Sequence, residues 1–301
     1  MCSRAFRASR KPGYDWQPRR RIFLYKDLLL ATGLDANRLG VAVKNNSGDY
    51  VLLTGNQTGA LLLHYMLTQK QEKDLLADNS VMLKTIVNSE LGRAIAQDYG
   101  VQTVDTLTGF KYIAEKIERW RREETKTFQF GYEESYGYLI GDFARDRDAV
   151  QAAAYYKQQG MTLYDGLIQL YETYSYYKEA LTFFTLKGKD GAKQISRIVK
   201  QFREHPPAEI ADAAVETIED YQSGKGTDLL TAPQEVIDLP SSNVLKFWLQ
   251  DGSWFWIRPS GTEPKVKFYF GVKQRSESKS EERLKEIQVS VMKVIKDILK
   301  Q

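Results

Sequence analysis

Residues 258–265 read Arg-Pro-Ser-Gly-Thr-Glu-Pro-Lys, a set of side chains suited to gripping a phosphate. A bound phosphate needs its charge neutralised and several donors converging on a small concave site. Arg258 offers a planar bidentate fork. Ser260 and Thr262 add hydroxyl donors. Gly261 lets the backbone approach closely and present its N–H groups as an anion nest. Pro259 and Pro264 stiffen the loop and so lower the cost of ordering it. A plain hairpin loop carrying an exposed arginine fits the same composition equally well.

Two further segments carry oxygen-rich chemistry. Phe130-Gly-Tyr-Glu-Glu-Ser-Tyr-Gly137 places Glu133, Glu134 and Ser135 in a glycine-bounded loop after a strand-like run. Carboxylates accept from vicinal sugar hydroxyls, and a serine can donate or accept. The paired acids could instead form a general acid/base pair, or simply a solvated acidic turn. Asp35-Ala-Asn-Arg38 offers one carboxylate and one amide between two apolar runs. That is a thin set for Mg²⁺, so a turn is the default. Thr106-Leu-Thr-Gly-Phe-Lys111 could aim a helix N-terminus at an anion, or be an N-cap. Asn56 and Gln57 read as capping residues, and Tyr171–Tyr177 as helix packing. The chain has no P-loop, dinucleotide fingerprint or Gly-x-Ser-x-Gly elbow.

Composition narrows the class. Hydrophobic residues make up 42% and charged residues 27% of the 301, which suits a globular chain of about two domains. Cys2 is the only cysteine, which excludes an internal disulfide and a cysteine-rich zinc site. His64 and His205 are the only histidines, too few for a His-rich metal site. Residues 1–21 carry seven basic side chains against Asp15, a charge of +6, which leaves −2 of the total +4 for the rest. A nearly neutral body gives no reason to expect nucleic acid as a partner. The basic arm reads as a disordered tail, a transit-like segment, or a poorly ordered start to a truncated frame. No run is apolar enough to span a bilayer and none reads as a signal peptide, so a cytoplasmic chain without membrane contact is expected.

Around these segments the pattern alternates. Short apolar runs at Leu28–Thr32, Leu39–Val43 and Tyr50–Leu53 predict strands, with a helix over Thr58–Lys70. Strands at Val81–Val87, Val101–Val104 and Phe128–Gly131 alternate with helices at Glu90–Tyr99 and Thr108–Arg122. That order predicts an α/β unit with a largely parallel sheet. Helices are expected over Asp146–Gln159 and Thr162–Tyr174. The tail differs: a strand at Leu181–Leu186, a helix over Ala192–Arg203 and a strand or short helix at Ala214–Tyr221. A loop at Ser223–Gly226 follows, then antiparallel strands at Val244–Leu249, Ser253–Ile257 and Lys265–Val272 and a helix over Ser280–Lys300. These predict a smaller α+β domain, with a boundary near residues 176–190.

In this order, Thr54-Gly-Asn-Gln-Thr-Gly59, Thr108-Gly-Phe-Lys111, Gly131-Tyr-Glu-Glu-Ser135 and Arg258–Lys265 resemble the α-D-phosphohexomutases over residues 28–301. The likeness is closest to bacterial phosphoglucomutases and phosphomannomutases. It implies a three-layer α/β/α domain followed by a smaller α+β C-terminal domain. On that pattern residues 1–26 are a basic, disordered arm and 27–50 a remnant of the metal-loop domain. Residues 51–180 are the α/β sugar-binding domain and 181–301 the phosphate-binding domain. The resemblance implies that Glu133 and Ser135 contact sugar hydroxyls and that Thr108 and Gly109 line the sugar site. It also implies that Arg258, Ser260, Gly261 and Thr262 hold the phosphate.

The same resemblance implies an intramolecular phosphotransferase that interconverts hexose 1-phosphate and 6-phosphate, with glucose 1,6-bisphosphate as activator. Arg147 stands where the family usually has a lysine near the reacting phosphate. Two features depart from the pattern. The metal loop Asp-x-Asp-x-Asp-Arg reads Gly33-Leu-Asp-Ala-Asn-Arg38 here, leaving Asp35 and Asn37 as metal ligands beside Arg38. Losing two carboxylates weakens Mg²⁺ binding. The phosphoserine loop Thr-Ala-Ser-His-Asn-Pro does not occur. The expectation is therefore a truncated chain, inactive alone, whose partners are a hexose phosphate and a missing N-terminal portion. The alternative is a non-catalytic protein that binds sugar phosphates or a mutase.

Overall fold

Apolar runs broken by turn residues build three sheets. The computed structural model describes residues 22–24, 28–33, 38–140, 155–186, 188–229, 231, 233–261 and 263–300. The first sheet is antiparallel, in the order β1 (Ile22–Leu24), β2 (Leu28–Thr32), β3 (Leu39–Lys44) and β4 (Tyr50–Leu52). Strand β1 falls within the stretch expected to be the basic arm. The arm was to run through residue 26, but Ile-Phe-Leu at 22–24 pairs with Leu29–Ala31. Residues 1–21 and 25–27 lie outside the described residues.

The α/β unit follows. Helix α1 (Gly55–Glu72) starts three residues earlier than its apolar run predicts, because Thr54 and Gln57 form a reciprocal capping box. The Thr54 hydroxyl accepts from Gln57 N at 3.2 Å, and the Gln57 side chain accepts from Thr54 N at 2.8 Å. Strands β5 (Ser80–Thr85), β6 (Gln102–Thr106), β7 (Thr127–Glu133) and β8 (Gly137–Ile140) form a sheet in the order β6-β5-β7-β8. Strand β5 runs parallel to β6 and β7, whereas β8 turns back antiparallel on β7. The sheet is therefore mixed, not wholly parallel.

Helix α1 and α2 (Leu91–Asp98) bury Leu61, Leu62 and Ile95 in one core with Met82 and Phe130. Helix α3 (Phe110–Glu123) puts Ile113 in a separate core with Leu83 and Phe128. These are the three layers. A register shift in β7 near Gln129 explains why Phe128 and Phe130, two residues apart, serve different layers. Tyr132, next on the α1 face, is fully buried, and its ring fills the space above Gly59 and Gly92.

Helix α4 (Leu163–Tyr174) packs on α1, where Gln57 Nε2 donates to the Tyr171 hydroxyl at 3.0 Å. Of the helix expected over Asp146–Gln159, only its end is described, with residues 155–158 helical. Ser175, at φ +86°, breaks α4, and β9 (Tyr176–Thr185) begins directly after it. The strand is longer than the apolar run at Leu181 suggests, and the boundary expected at 180–181 falls inside it.

Strand β9 belongs to the third sheet, with β10 (Glu209–Ile210), β11 (Ala213–Asp220), β12 (Lys225–Asp228), β13 (Gln234–Val236), β14 (Leu245–Leu249), β15 (Trp254–Pro259) and β16 (Lys265–Gln274). The order is β13-β12-β11-β14-β15-β16-β9, with β10 beside β11, and every pairing is antiparallel. The short strands β10, β12 and β13 carry too little apolar signal to be read from sequence, and β8, although apolar, is only four residues long.

Helices α5 (Gly188–Glu204) and α6 (Glu277–Lys300) cover one face of this sheet. Ile198, Phe202, Ile287 and Val291 pack there on Phe247, Phe255, Phe268 and Phe270. The opposite face presents Trp254, Trp256 and Tyr269, which pack with Ile86, Val87 and Leu107 from the ends of β5 and β6. This contact brings the Arg258 hairpin to the α/β unit. Among the described residues no helix is long and apolar enough to cross a membrane.

Candidate functional site

The site is built around the turn between β7 and β8. Glu133 is the last residue of β7, and Tyr136 closes the turn at φ +71°. Asn88, fully buried after β5, brackets the turn: its Oδ1 accepts from Glu134 N at 3.1 Å, and its Nδ2 donates to Tyr132 O at 3.2 Å. Thr85 donates to Asn88 and, at 3.3 Å, to Glu134 Oε2. The first sheet is tied on as well, because Leu39 N donates to Tyr136 O at 3.1 Å. Gly55, at the start of α1, lies against the backbone of Glu134.

Glu133 is hydrogen-bonded from the start of α3 and from its own turn, and two arginines from elsewhere in the fold act on its charge. The backbone N–H of Gly109, which caps α3 at φ +130°, donates to Glu133 Oε1 at 2.8 Å. The Ser135 hydroxyl donates to Glu133 Oε2 at 3.4 Å. Arg38, from the start of β3, and Arg258, from β15, both act on its charge. Burial raises the Glu133 carboxyl above its ordinary range, and the Gly109 N–H, Ser135 and the two guanidiniums offset only part of that. Glu134 is raised too, first by burial and then by the charge of Glu133. Tyr269 is hydrogen-bonded to Arg258; burial and the Glu134 charge push its hydroxyl up to about 12 despite that guanidinium.

The hairpin loop leaves β15 at Pro259. Ser260 N donates to Lys265 O at 2.7 Å, and Lys265 N to Glu263 O at 2.7 Å, which closes the loop. Leu186 N donates to Pro264 O at 2.9 Å and anchors it to the end of β9. Gly261 is exposed, with open space where a side chain would stand. The exposed backbone at Gly261 thus stands beside the Arg258 guanidinium.

Of the residues singled out from sequence, Gly109 and Ser135 hydrogen-bond to Glu133, and Arg38 and Arg258 lie within electrostatic reach of it. Thr108 is half-buried next to Gly109. Asp35, Asn37, Arg147 and Thr262 lie outside the described residues. Among the described residues no group of three His, Cys, Asp or Glu side chains could hold a metal ion. With one carboxylate and one amide in the loop before it, and with Arg38 acting on Glu133, the donor set does not fit a hard divalent cation.

Sequence reasoning missed Thr85, Asn88 and Tyr269. The signal available for the first two is their polarity at the end of the apolar run Val81–Val87. Tyr269 gives its position away only once the register of β15 and β16 is known.

The family model described as phosphoglucomutase/phosphomannomutase, alpha/beta/alpha domain III, matches residues 54–174. The model for the phosphoglucomutase/phosphomannomutase C-terminal domain matches residues 203–294. The chain belongs to the phosphoglucomutase/phosphomannomutase family. It is 39% identical over 256 residues to a phosphoglucomutase of Staphylococcus aureus, covering 83% of this chain and 45% of that protein. A phosphoglucomutase of Staphylococcus epidermidis is 40% identical over 250 residues, covering 81% of this chain and 44% of its own length. The chain therefore spans about half the length of the curated relatives it matches.

Solved structures share the fold. The open form of the phosphoglucomutase parafusin from Paramecium superposes with a TM-score of 0.56 at 15% identity, over 89% of this chain and 44% of that one. A phosphoglucomutase/phosphomannomutase family protein from Burkholderia thailandensis gives 0.52 at 16% identity, over 90% and 47%. Within this family the Glu133 turn belongs to the matched α/β/α domain and the Arg258 hairpin to the matched C-terminal domain.

Proposed function

We propose that this chain binds a hexose phosphate between the Glu133 turn and the Arg258 hairpin, as the sugar- and phosphate-gripping part of a phosphoglucomutase-type phosphotransferase. The observation that carries this reading is the convergence of Gly109, Ser135, Arg38 and Arg258 on Glu133. A carboxylate fixed by a backbone N–H at one oxygen keeps free lone pairs for vicinal hydroxyls. A guanidinium a strand away, followed by a loop of N–H and hydroxyl groups, suits a phosphate. Sugar and phosphate ends would then be read by different segments: Thr108, Gly109, Glu133 and Ser135 for the ring, and Arg258, Ser260, Gly261 and Thr262 for the phosphate. Arg147 would lie near the reacting group. Residues 51–180 would serve the first task, 181–301 the second, and 27–50 would support Arg38.

The family reaction moves a phosphate between the 1- and 6-positions of a hexose. A symmetric set of donors around one phosphate can hold either end of the sugar while the other reacts. Phosphoryl transfer also needs a donor group, and no Thr-Ala-Ser-His-Asn-Pro loop occurs in these 301 residues. The chain by itself is therefore expected to bind and not to turn over. Calorimetry with glucose 1,6-bisphosphate and glucose 1-phosphate tests the reading. Binding that Arg258→Ala weakens at least tenfold supports it, and unchanged affinity in that variant overturns it. A coupled assay from glucose 1-phosphate to glucose 6-phosphate should show no turnover by the purified chain.

A further inference from the structure

A cavity of ≈ 400 Å³ lies on the seam between the α/β unit and the third sheet, and neither Glu133 nor Arg258 lines it. One wall is α3. Ile113 of that helix faces the sheet core, so residues 112, 115, 116 and 119, spaced by three and four, share a different face. Tyr112, Glu115, Lys116 and Arg119 line the cavity from that face. The other wall is the segment after β13, where Asp238, Leu239 and Pro240 line it. This segment is pinned at both ends: Ile237 N donates to Gly224 O at 2.9 Å, and Ser242 N to Tyr221 O at 3.0 Å. Thr106 and Leu107, both buried, form the floor and lead straight into Thr108 and Gly109. The volume falls at the lower end of small-molecule pockets.

The lining combines two kinds of surface. Leu107, Leu239, Pro240 and the Tyr112 ring are apolar, and Tyr112 and Leu239 also pack against the cluster of Trp254 and Trp256. Two acids and two bases stand around them. Arg119 pairs with Glu123 at 3.0 Å along α3, and its charge also feels Asp238 across the cavity. Among the described residues Glu115, Lys116 and Asp238 make no hydrogen bond or ion pair, and Lys116 is half-buried. Opposite charges that face one gap without closing on each other leave room for a molecule that carries both signs. Because two carboxylates and two cations cancel, a net-neutral ligand suits this lining better than a simple anion or cation.

We propose that this cavity binds an apolar α-amino acid as an effector. Its carboxylate meets Lys116 and Arg119, its ammonium meets Glu115 and Asp238, and its side chain lies on Tyr112 and Leu239. Such a ligand bridges α3 and the segment after β13. It thereby fixes Gly109, whose N–H donates to Glu133, relative to the sheet that carries Arg258. Filling the cavity tightens sugar-phosphate binding, and by linkage the sugar phosphate tightens the amino acid by the same factor. The coupling rests on the reading that the Glu133 site holds a sugar phosphate, whereas occupancy of the cavity does not.

Calorimetry tests this by titrating phenylalanine, 3-phenylpropionate and phenethylamine into the full chain, for the parent, Lys116→Gln, Asp238→Asn and Arg121→Gln. Phenylalanine carries both charges, and each of the other probes keeps the ring and one charge. Phenylalanine should bind saturably, with each single-charge probe weaker by about tenfold or more. Lys116→Gln should lose about tenfold for phenylalanine and 3-phenylpropionate but not for phenethylamine. Asp238→Asn should lose about tenfold for phenylalanine and phenethylamine but not for 3-phenylpropionate. Arg121→Gln, on α3 but outside the lining, should stay within about twofold of the parent. No saturable binding of phenylalanine up to about 10 mM overturns the site. So does binding that neither cavity variant weakens. Glucose 1-phosphate should bind at least about threefold tighter with phenylalanine present at saturation. Unchanged affinity refutes the effector role while the amino-acid site stands. If the parent does not bind glucose 1-phosphate at all, the functional reading and the coupling fall together, and the cavity is judged on phenylalanine alone.

Discussion

Gly55 is where the sequence of one helix decides the geometry of a turn 80 residues away. It opens α1 directly after the Thr54 cap, and its α-carbon faces the backbone of the Glu134–Tyr136 turn. A Cβ at this position would lie 2.7 Å from the Glu134 carbonyl carbon and 3.0 Å from Tyr136 N, and closer still to the carbonyl oxygen. Carbon atoms pack comfortably at about 3.5–4.0 Å, so Gly55→Ala needs a shift of close to 1 Å in backbone on one side or the other. Neither side yields easily, since the turn is held by Asn88 and by Leu39 and the helix by its capping box. Overpacking of this kind costs about 1–3 kcal/mol or more, against a helix-propensity gain of at most about 1 kcal/mol. A net loss of about 2 kcal/mol should lower the melting temperature by roughly 4–8 °C. Displacing the turn also moves Glu133 away from Gly109 N, so affinity for glucose 1-phosphate should drop more than tenfold. Differential scanning calorimetry and a binding titration on the same sample give both quantities. A variant with parent-like melting and affinity would show that the helix start does not position the turn.

Other perturbations probe the site and its surroundings. Glu133→Gln keeps an acceptor for Gly109 N but removes a buried negative charge, so the melting temperature should hold or rise while sugar-phosphate affinity falls about tenfold. Burial pushes the carboxyl of Glu179, on β9, up to about 7. A raised carboxyl contributes stability that is fully present below its unfolded value of 4.5 and is lost as pH climbs through about 7. Melting curves taken from pH 5 to pH 8 should therefore decline less steeply for Glu179→Gln than for the parent. Lys84, fully buried, donates to Glu90 Oε1 at 2.9 Å and lies 3.2 Å from Asp105 Oδ1. Lys84→Met strands part of that acidic pair and should cost about 3–5 kcal/mol, read from denaturant midpoints; a loss under about 1 kcal/mol would mean that Arg93 compensates alone.

What was legible from sequence is what local chemistry encodes. The Arg258–Lys265 segment advertises itself because its residue types are dense and the strands around it are strongly apolar. Glu133 and Ser135 are legible for the same reason, although which partner fixes Glu133 is not. Gly109 and Glu133 are 24 residues apart, and their hydrogen bond exists only because β5 sits between β6 and β7. The four-residue strand β8 has no alternating pattern long enough to read, yet it defines the turn. Strand β1 was hidden by the arginines before it. The missed residues are thus the ones whose partners come from elsewhere in the fold.

The two halves of the site are held in register by a face rather than by the site itself. Trp254, Trp256 and Tyr269 pack on Ile86, Val87 and Leu107, and Arg258 projects from the same strand face two residues beyond Trp256. Apolar contact supplies the energy of that docking, about 1.5–3 kcal/mol for each large side chain fully buried, but it carries little directional information. The charges beside it supply direction. Lys246, from β14, lies 3.8 Å from the ring centroid of Trp248 and 4.5 Å from that of Trp256. Burial lowers it to about 8, against the pull of Glu219 and Glu90. Glu90 belongs to the α/β unit, where burial raises its carboxyl but Lys84, Lys246 and Arg93 outweigh that and hold it at about 2. A cation of one unit is thereby matched to an anion of the other through a wall of indole rings. Sliding the sheet by one strand residue would flip Lys246 and Arg258 to the helix-covered face, and no apolar gain could offset burying both charges unpaired. The register that satisfies Lys246 is the register that presents Arg258 to Glu133.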